Sequence, residues 1–197
     1  RWLIFIAYMV GLSIGVHLLN LLVIPAIVFI YYFKKYETTK WGIIKSAALS
    51  IVILGVIMWG IIPGVIIVAG WFELLFVNGF GMPFNTGVVI YALLLIAGLT
   101  FGIRYTLKHN HTVVNTILTC FIVMLIGYSC YAMVVIRSVS NPPIDENSPD
   151  NVFSLLSYIS RDQYGQEPLV YGPYFNAPVI GVEDAGPVYY QNEKTGK

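Results

Sequence analysis

The chain has 197 residues, of which 57% are hydrophobic and 11% are charged, whereas soluble globular domains carry about 25% charged residues. This composition excludes a water-soluble fold for most of the chain, and its high apolar content excludes disorder. The formal net charge of +1 provides no basic field, so we expect no nucleic-acid partner. Together these properties predict an all-α integral membrane protein.

Four uncharged stretches are each longer than the roughly 18 residues that mark a candidate membrane span. They cover residues 2–33, 46–72, 74–103 and 112–136. The first three are longer than one span requires, so each is expected to contain a span together with another element. We predict about four transmembrane helices, the last two near residues 87–105 and 112–136.

The first stretch is interrupted by Gly11, Gly15 and Pro25, which favours a helix broken near Gly15 over one straight rod. His17 and Asn20 are three residues apart, so a helix would place them on one face. Polar side chains within lipid are expected to face the bundle interior or a wet cavity. They either hold helices together through hydrogen bonds or form a polar cavity for a headgroup or phosphate.

In the second stretch we predict a span over residues 43–62 that stops at the Pro-Gly pair 63–64. The apolar segment 65–77 then forms a helix that lies in, or re-enters, the membrane interface, with Trp71 at the headgroup level. Glu73 lies either on the wet face of that helix or in a buried position. Burial would make it a candidate acid, base or ligand.

Basic residues favour one orientation of the predicted spans. Lys residues are concentrated in the loop 34–45, and Arg104 and Lys108 follow the third span, whereas the loop between the second and third spans has none. The positive-inside rule places both basic loops in the cytoplasm. We therefore predict a multi-pass protein of the cytoplasmic membrane with a helical membrane domain, 1–137, and an extracytoplasmic tail, 138–197, that starts a soluble domain.

The segment 137–197 contains eight of the ten acidic residues and seven of the ten prolines, so it is expected to be mostly irregular. One helix is predicted within it, over 152–160, with Asp150 as its cap. Four apolar residues share one face of that helix: Val152, Leu155, Leu156 and Ile159. So short a tail is expected to dock on the membrane domain or to belong to a larger soluble domain.

Few residues outside these elements suggest chemistry. His109 and His111 lack a third ligand nearby, so no metal site is predicted. Arg137, at the end of the last span, either pairs with a lipid phosphate or acts as a snorkelling anchor. The charged and tyrosine-containing segment 161–165 is typical both of sugar or peptide recognition and of ordinary turns.

Four segments together resemble a known family. They are GLSIGVHLLN at 11–20, GWFELLFVNG at 70–79, NPPIDEN at 141–147 and LSYISRDQYG at 156–165. The chain resembles glycosyltransferase family 117, multi-spanning proteins that are abundant in Bacteroidota and were long of unknown function. That family is similar to the C-type glycosyltransferases, which include the protein O-mannosyltransferases.

The resemblance implies an enzyme that moves a sugar from a polyprenyl-phosphate carrier to a protein hydroxyl outside the cytoplasmic membrane. A general base, usually an acidic residue, would deprotonate the acceptor. In C-type enzymes that acid lies in the first outside loop, and this chain has no such loop. The chain is therefore expected to be an internal fragment of a longer polypeptide, inactive alone, with the catalytic residue in the remainder.

The resemblance also implies roles for particular residues. The lipid-phosphate or substrate groove is assigned to His17, Asn20, Glu73 and Arg137. The acceptor-side surface is assigned to Arg161, Asp162 and Tyr164. The expected partners are membrane lipid, the lipid-linked sugar that serves as donor, a protein acceptor and the remainder of the polypeptide. No cofactor or metal is firmly implied.

Two other functions remain open. A transporter or flippase half would use the broken first span, with His17 near the membrane midplane, as a substrate site. The sequence contains no second half with a matching interruption. A non-catalytic scaffold subunit would use His17, Asn20 and Glu73 for packing only.

Overall fold

A computed structural model describes residues 1–162 and, beyond them, residues 165, 172, 174, 176–178, 181, 187–189 and 191–192. Within these residues all regular structure is helical, which confirms the all-α class. The helices are α1 (Trp2–Val16), α2 (Val23–Lys35), α3 (Lys40–Gly55), α4 (Ile62–Leu74), α5 (Thr86–Lys108), α6 (Thr112–Tyr128), α7 (Tyr131–Val139) and α8 (Val152–Ser160).

Four helical runs within the described part of the chain are long and apolar enough to cross a membrane, as predicted. They are Leu18–Lys35, Lys40–Gly79, Thr86–Lys108 and Thr112–Val139. The helix α1, with 15 residues, is about 22 Å long. It is therefore shorter than the hydrocarbon core of about 30 Å.

The first apolar stretch is broken, as predicted, but at His17, two residues beyond Gly15. His17 has extended backbone angles, φ −160° and ψ 121°, and ends α1. A 3₁₀ turn, Leu18–Leu22, follows and leads directly into α2. Pro25 lies in the first turn of α2, where its missing N–H removes no helical hydrogen bond.

The predicted stop at residues 63–64 is wrong. The chain remains helical from Lys40 to Gly79, a run of 40 residues, which is about 60 Å long. Its turns widen to π geometry at Val56–Ile61, directly before Pro63, and again at Leu75–Gly79. Because a π turn changes the hydrogen-bonding partners, it accommodates the proline ring without ending the helix. The segment 65–77 is helical as predicted but continues the preceding span.

The helices α1 and α6 pack in parallel with their backbones in close contact. Gly11 lies against the backbone of Met124, and Gly127 lies against the backbone of Tyr8 and Leu12. Further along both helices, Gly15 lies against Cys130. Since a side chain at either Gly11 or Gly127 would overlap backbone atoms of the partner, only glycine permits this approach.

The remaining helices alternate in direction. The pair α4 and α5 is antiparallel, since Gly87 lies against Phe72 and Glu73. The pair α5 and α6 is also antiparallel, since Asn115 donates a hydrogen bond to the Thr106 hydroxyl (2.9 Å). The short connections before α3 and between α5 and α6 therefore lie at the same end of the bundle, and both carry basic residues.

The predicted tail helix is confirmed as α8, and it packs on the membrane helices. Ile159 is buried in the main apolar core of the bundle, and α8 lies against α4. The predicted cap is wrong by one residue: Asn151, rather than Asp150, accepts hydrogen bonds from the backbone N–H groups of Phe153 and Ser154. The Asp150 carboxylate instead accepts from the side chains of Asn151 and Ser154.

The close packing of α1 and α6 leads to a stability prediction. Gly11→Ala forces a methyl group into the Met124 carbonyl, so overpacking is expected to lower stability by about 1–3 kcal/mol. Gly98→Ala is the matched control, because its position is open and alanine is the better helix former. The test compares the thermal stability of the two variants. Each is heated in detergent, and the fraction of protein that remains monodisperse is measured. Equal loss in both variants would contradict the packing argument.

Candidate functional site

The break at His17 has its backbone polar groups satisfied locally. The His17 N–H donates to the Ser13 carbonyl (2.9 Å), and the Asn20 N–H donates to the His17 carbonyl (3.0 Å). The His17 Nδ1 accepts from the Leu19 N–H (3.2 Å). The imidazole Nδ1 therefore caps the 3₁₀ turn as a hydrogen-bond acceptor.

A tyrosine from another helix completes the broken end of α1. Its last carbonyls lack helical partners, and the Tyr131 hydroxyl donates to one of them, that of Ile14 (3.2 Å). One turn earlier, the Tyr128 hydroxyl donates to the Ile62 carbonyl (2.8 Å). Tyr131 thus joins α7 to the end of α1, and Tyr128 joins α6 to the start of α4.

An apolar cleft opens beside this end of α1. It has a volume of about 350 Å³ and lies between the last turns of α1 and the start of α7. Its lining residues are Leu12, Gly15, Val16, Cys130, Tyr131 and Val134. Because Val16 precedes His17 directly, the backbone of His17 adjoins this lining. We call this site the α1–α7 cleft.

The structure brings Arg161 towards the same cleft. Arg161 follows α8 in a left-handed conformation, φ 59°, and is exposed; its charge acts on Tyr131, which lines the cleft. The family resemblance implies His17 for the lipid-phosphate groove and Arg161 for the acceptor surface. In the structure His17 directly follows the cleft residue Val16, and Arg161 acts on the cleft residue Tyr131.

The other predicted residues lie apart from this cluster. His17 and Asn20 do not share an α-helical face as predicted, because His17 lies outside the helix, and both are exposed rather than inside the bundle. Arg137 is exposed in the last turn of α7, and Asp162 is exposed after α8. Tyr164 lies outside the described residues.

Glu73 is buried, with 1% of its surface exposed, so the wet-face alternative is wrong. Its carboxylate accepts hydrogen bonds from the N–H groups of Asn85 (2.5 Å) and Val88 (3.1 Å), at the start of α5. A carboxylate at a helix N-terminus is stabilised by both the free N–H groups and the helix dipole. Glu73 therefore holds α5 against α4, where Gly87 permits close contact of the two backbones.

A second, smaller cavity lies at Glu73, which we call the Glu73 pocket. Its volume is about 60 Å³. It is lined by Glu73, Leu74, Val77, Asn78, Phe84, Asn151, Phe153, Tyr189 and Gln191. It shares no lining residue with the α1–α7 cleft, so the two cavities are distinct.

Two tyrosines of this region are not among the predicted site residues. Tyr128 and Tyr131 lie within the predicted span 112–136, where a buried tyrosine hydroxyl requires a hydrogen-bond partner and so indicates an interhelical contact. Gly11 and Gly15 form a Gly-x-x-x-Gly pattern that is typical of close helix packing. It was interpreted only as a break.

Within the described residues no three His, Cys, Asp or Glu side chains are grouped so that they could hold a metal ion. His109 and His111 lie near each other with stacked rings (6.1 Å) at the short turn between α5 and α6. Their position at a turn fits a structural role.

Comparison with known proteins gives one match. Residues 1–40 match the family described as the protein O-mannosyl-transferase TMEM260 N-terminal domain. The match covers α1, the break at His17 and all of α2, and thus one wall of the α1–α7 cleft. No curated protein and no solved structure matches the chain. The chain is therefore similar, over this segment, to membrane protein O-mannosyltransferases.

The role of Glu73 as a clamp leads to a prediction. Glu73→Gln places an amide N–H₂ beside one of two backbone donors, so a buried donor loses its acceptor at a cost of about 1–3 kcal/mol. We expect faster hydrogen exchange at the amides of Asn85 and Val88, measured by mass spectrometry in detergent. The exposed Glu37→Gln is the control and should leave both amides protected. Unchanged protection in Glu73→Gln would disprove the clamp.

Proposed function

We propose that this chain is part of a membrane glycosyltransferase that moves a sugar from a polyprenyl-phosphate carrier to a protein hydroxyl on the extracytoplasmic side. The observation that carries the proposal is the position of the matched segment. The 40 residues similar to a protein O-mannosyl-transferase include the whole of α1, which stops at His17. They form one wall of an apolar cleft.

The cleft and its rim suit the two parts of such a donor. The apolar side chains of Leu12, Val16 and Val134 would contact the isoprenoid chain. His17 and Arg161, which approach from α1 and α8, would hold the phosphate. Arginine forms strong charge-assisted hydrogen bonds with phosphate, and the His17 Nε2–H would be a second donor, since His17 Nδ1 already accepts from Leu19.

The acceptor hydroxyl oxygen would attack the anomeric carbon, the bond from that carbon to the phosphate oxygen would break, and the carrier phosphate would leave with the electron pair. A base would take the hydroxyl proton. We place that base outside this chain, because the carboxylate of Glu73 is held by two backbone amides.

The remaining predicted residues have supporting roles in this proposal. Asn20 and Arg137 would contact the carrier headgroup from neighbouring elements, and Glu73 would fix the outer end of α5. Asp162 and Tyr164, adjacent to Arg161, would contact the acceptor. Membership of glycosyltransferase family 117, as occurs in Bacteroidota, is part of the same proposal.

The charge distribution supports the proposed orientation. The basic residues flanking α2, α3 and α5 share one end of the bundle, which we place in the cytoplasm. The Glu73 pocket and the tail then lie on the extracytoplasmic side of the cytoplasmic membrane. The donor phosphate and a secreted acceptor would meet on that side.

The test uses the native protein in membrane vesicles, supplied with polyprenyl-phosphate-linked mannose and an acceptor protein. The wild-type protein is expected to add a hexose to the acceptor. The gain in mass is measured by mass spectrometry of the intact acceptor. Arg161→Ala and His17→Ala should each reduce transfer about tenfold or more, since a hydrogen bond to a charged group contributes about 1.5–3 kcal/mol.

Arg104→Ala is the control, because Arg104 is exposed at the opposite end of the bundle. If sugar transfer is unchanged in both variants, His17 and Arg161 have structural roles only. Absence of transfer with every polyprenyl donor would overturn the proposal and favour the transporter or scaffold alternatives.

A further inference from the structure

We propose that the Glu73 pocket binds one edge of a neutral sugar, separate from the sugar on the lipid carrier. The pocket lies where α4, the start of α8 and the tail segment around Tyr189 come together. Its wall combines side chains with hydrogen-bonding capacity and aromatic rings, the two components that a hydroxyl-rich ligand with apolar C–H faces requires.

The polar side chains of the pocket favour hydroxyl groups over anions. Among the described residues Glu73 is its charged residue, and the carboxamides of Asn78, Asn151 and Gln191 also line it, that of Asn151 being engaged as the cap of α8. No Lys, Arg or His is among the described lining residues, so a phosphate would meet a carboxylate without a compensating cation from them. A carboxylate has about four acceptor positions. The amides of Asn85 and Val88 use two of them.

The aromatic side chains supply the apolar component. The rings of Phe153 and Tyr189 lie 5.0 Å apart at 36°, and Phe84 lines the same pocket. Phe153 reaches α4 because Gly70 has no side chain there; a Cβ at Gly70 would lie 3.2 Å from the Phe153 ring. The C–H face of a pyranose packs on such rings, while its hydroxyls turn to the carboxamides.

The size of the pocket restricts what enters it. A volume of about 60 Å³ accommodates about four water molecules. A hydroxymethyl group and the neighbouring hydroxyls of a hexose can replace these waters, whereas the whole ring does not fit. The pocket therefore binds one edge of the sugar, and the rest of the ring stays outside the pocket.

The separation from the α1–α7 cleft identifies which sugar is involved. The Glu73 pocket shares no lining residue with the cleft in which the lipid-linked donor is proposed to bind. The ligand is therefore a free glycoside or a sugar already attached to the acceptor. This binding does not depend on the transfer reaction proposed above.

The experiment measures saturation-transfer difference NMR on the detergent-solubilised native protein with methyl α-mannopyranoside and methyl α-glucopyranoside as probes. We expect saturation transfer to one of them, strongest at the protons of one ring edge. Tyr189→Ala and Asn78→Ala should lower it at least fivefold. Tyr189→Phe, which keeps the ring, should retain most of it.

The matched controls are Tyr174→Ala and Asn176→Ala, exposed tail positions outside the pocket. They should leave the signal unchanged. Lack of signal with either glycoside in wild type, or equal loss in Tyr189→Ala and Tyr174→Ala, would overturn the proposal. Saturation transfer to a serine-containing peptide, without saturation transfer to either glycoside, would overturn the proposal and indicate a peptide-binding site. Sugar transfer, measured separately, should persist in Tyr189→Ala even where glycoside binding is lost.

Discussion

In hydrocarbon a backbone N–H or C=O has no water to bond, so each irregular point of a spanning chain requires a partner within the protein. The fold satisfies this constraint at two helix ends with side chains from elsewhere. The Tyr131 hydroxyl binds the Ile14 carbonyl where α1 stops. The Glu73 carboxylate binds the Asn85 and Val88 amides where α5 starts. Both candidate sites lie beside these hydrogen-bonded helix ends, because the end or start of a helix leaves space that a continuous helix would fill.

The early end of α1 follows from its packing. Gly11 and Gly127 bring α1 and α6 into backbone contact. This contact fixes the position of α1 along α6. With 15 residues, α1 is too short to extend along the full length of the neighbouring helices. Above it, α8 packs on α4 and inserts Ile159 into the core. The helix α8 thus completes the bundle, and Arg161, which follows it, acts on the cleft residue Tyr131.

Composition and charge were sufficient to predict the helical class, four spanning runs and the tail helix. The exact end of α1 and the continuation through Pro63 were not predictable in this way. Local rules assign a stop to Pro-Gly, whereas the π turns at Val56–Ile61 remove the clash and the surrounding helices hold the run together. The position of Glu73 was equally inaccessible, because its partners are 12 and 15 residues away along the chain.

Electrostatics separate the two candidate sites more clearly than sequence motifs do. The lining of the α1–α7 cleft is apolar apart from the Tyr131 hydroxyl and the Cys130 thiol, and the charge of Arg161 acts on Tyr131. The described lining of the Glu73 pocket includes a carboxylate and carboxamides and no basic residue. A phosphate would therefore be favoured at the first site and disfavoured at the second, whereas a neutral sugar would not be repelled by the carboxylate. The functions proposed for the two sites require such a division. The helix α8 links them, because Phe153 lines the Glu73 pocket and Arg161, which follows α8, acts on Tyr131.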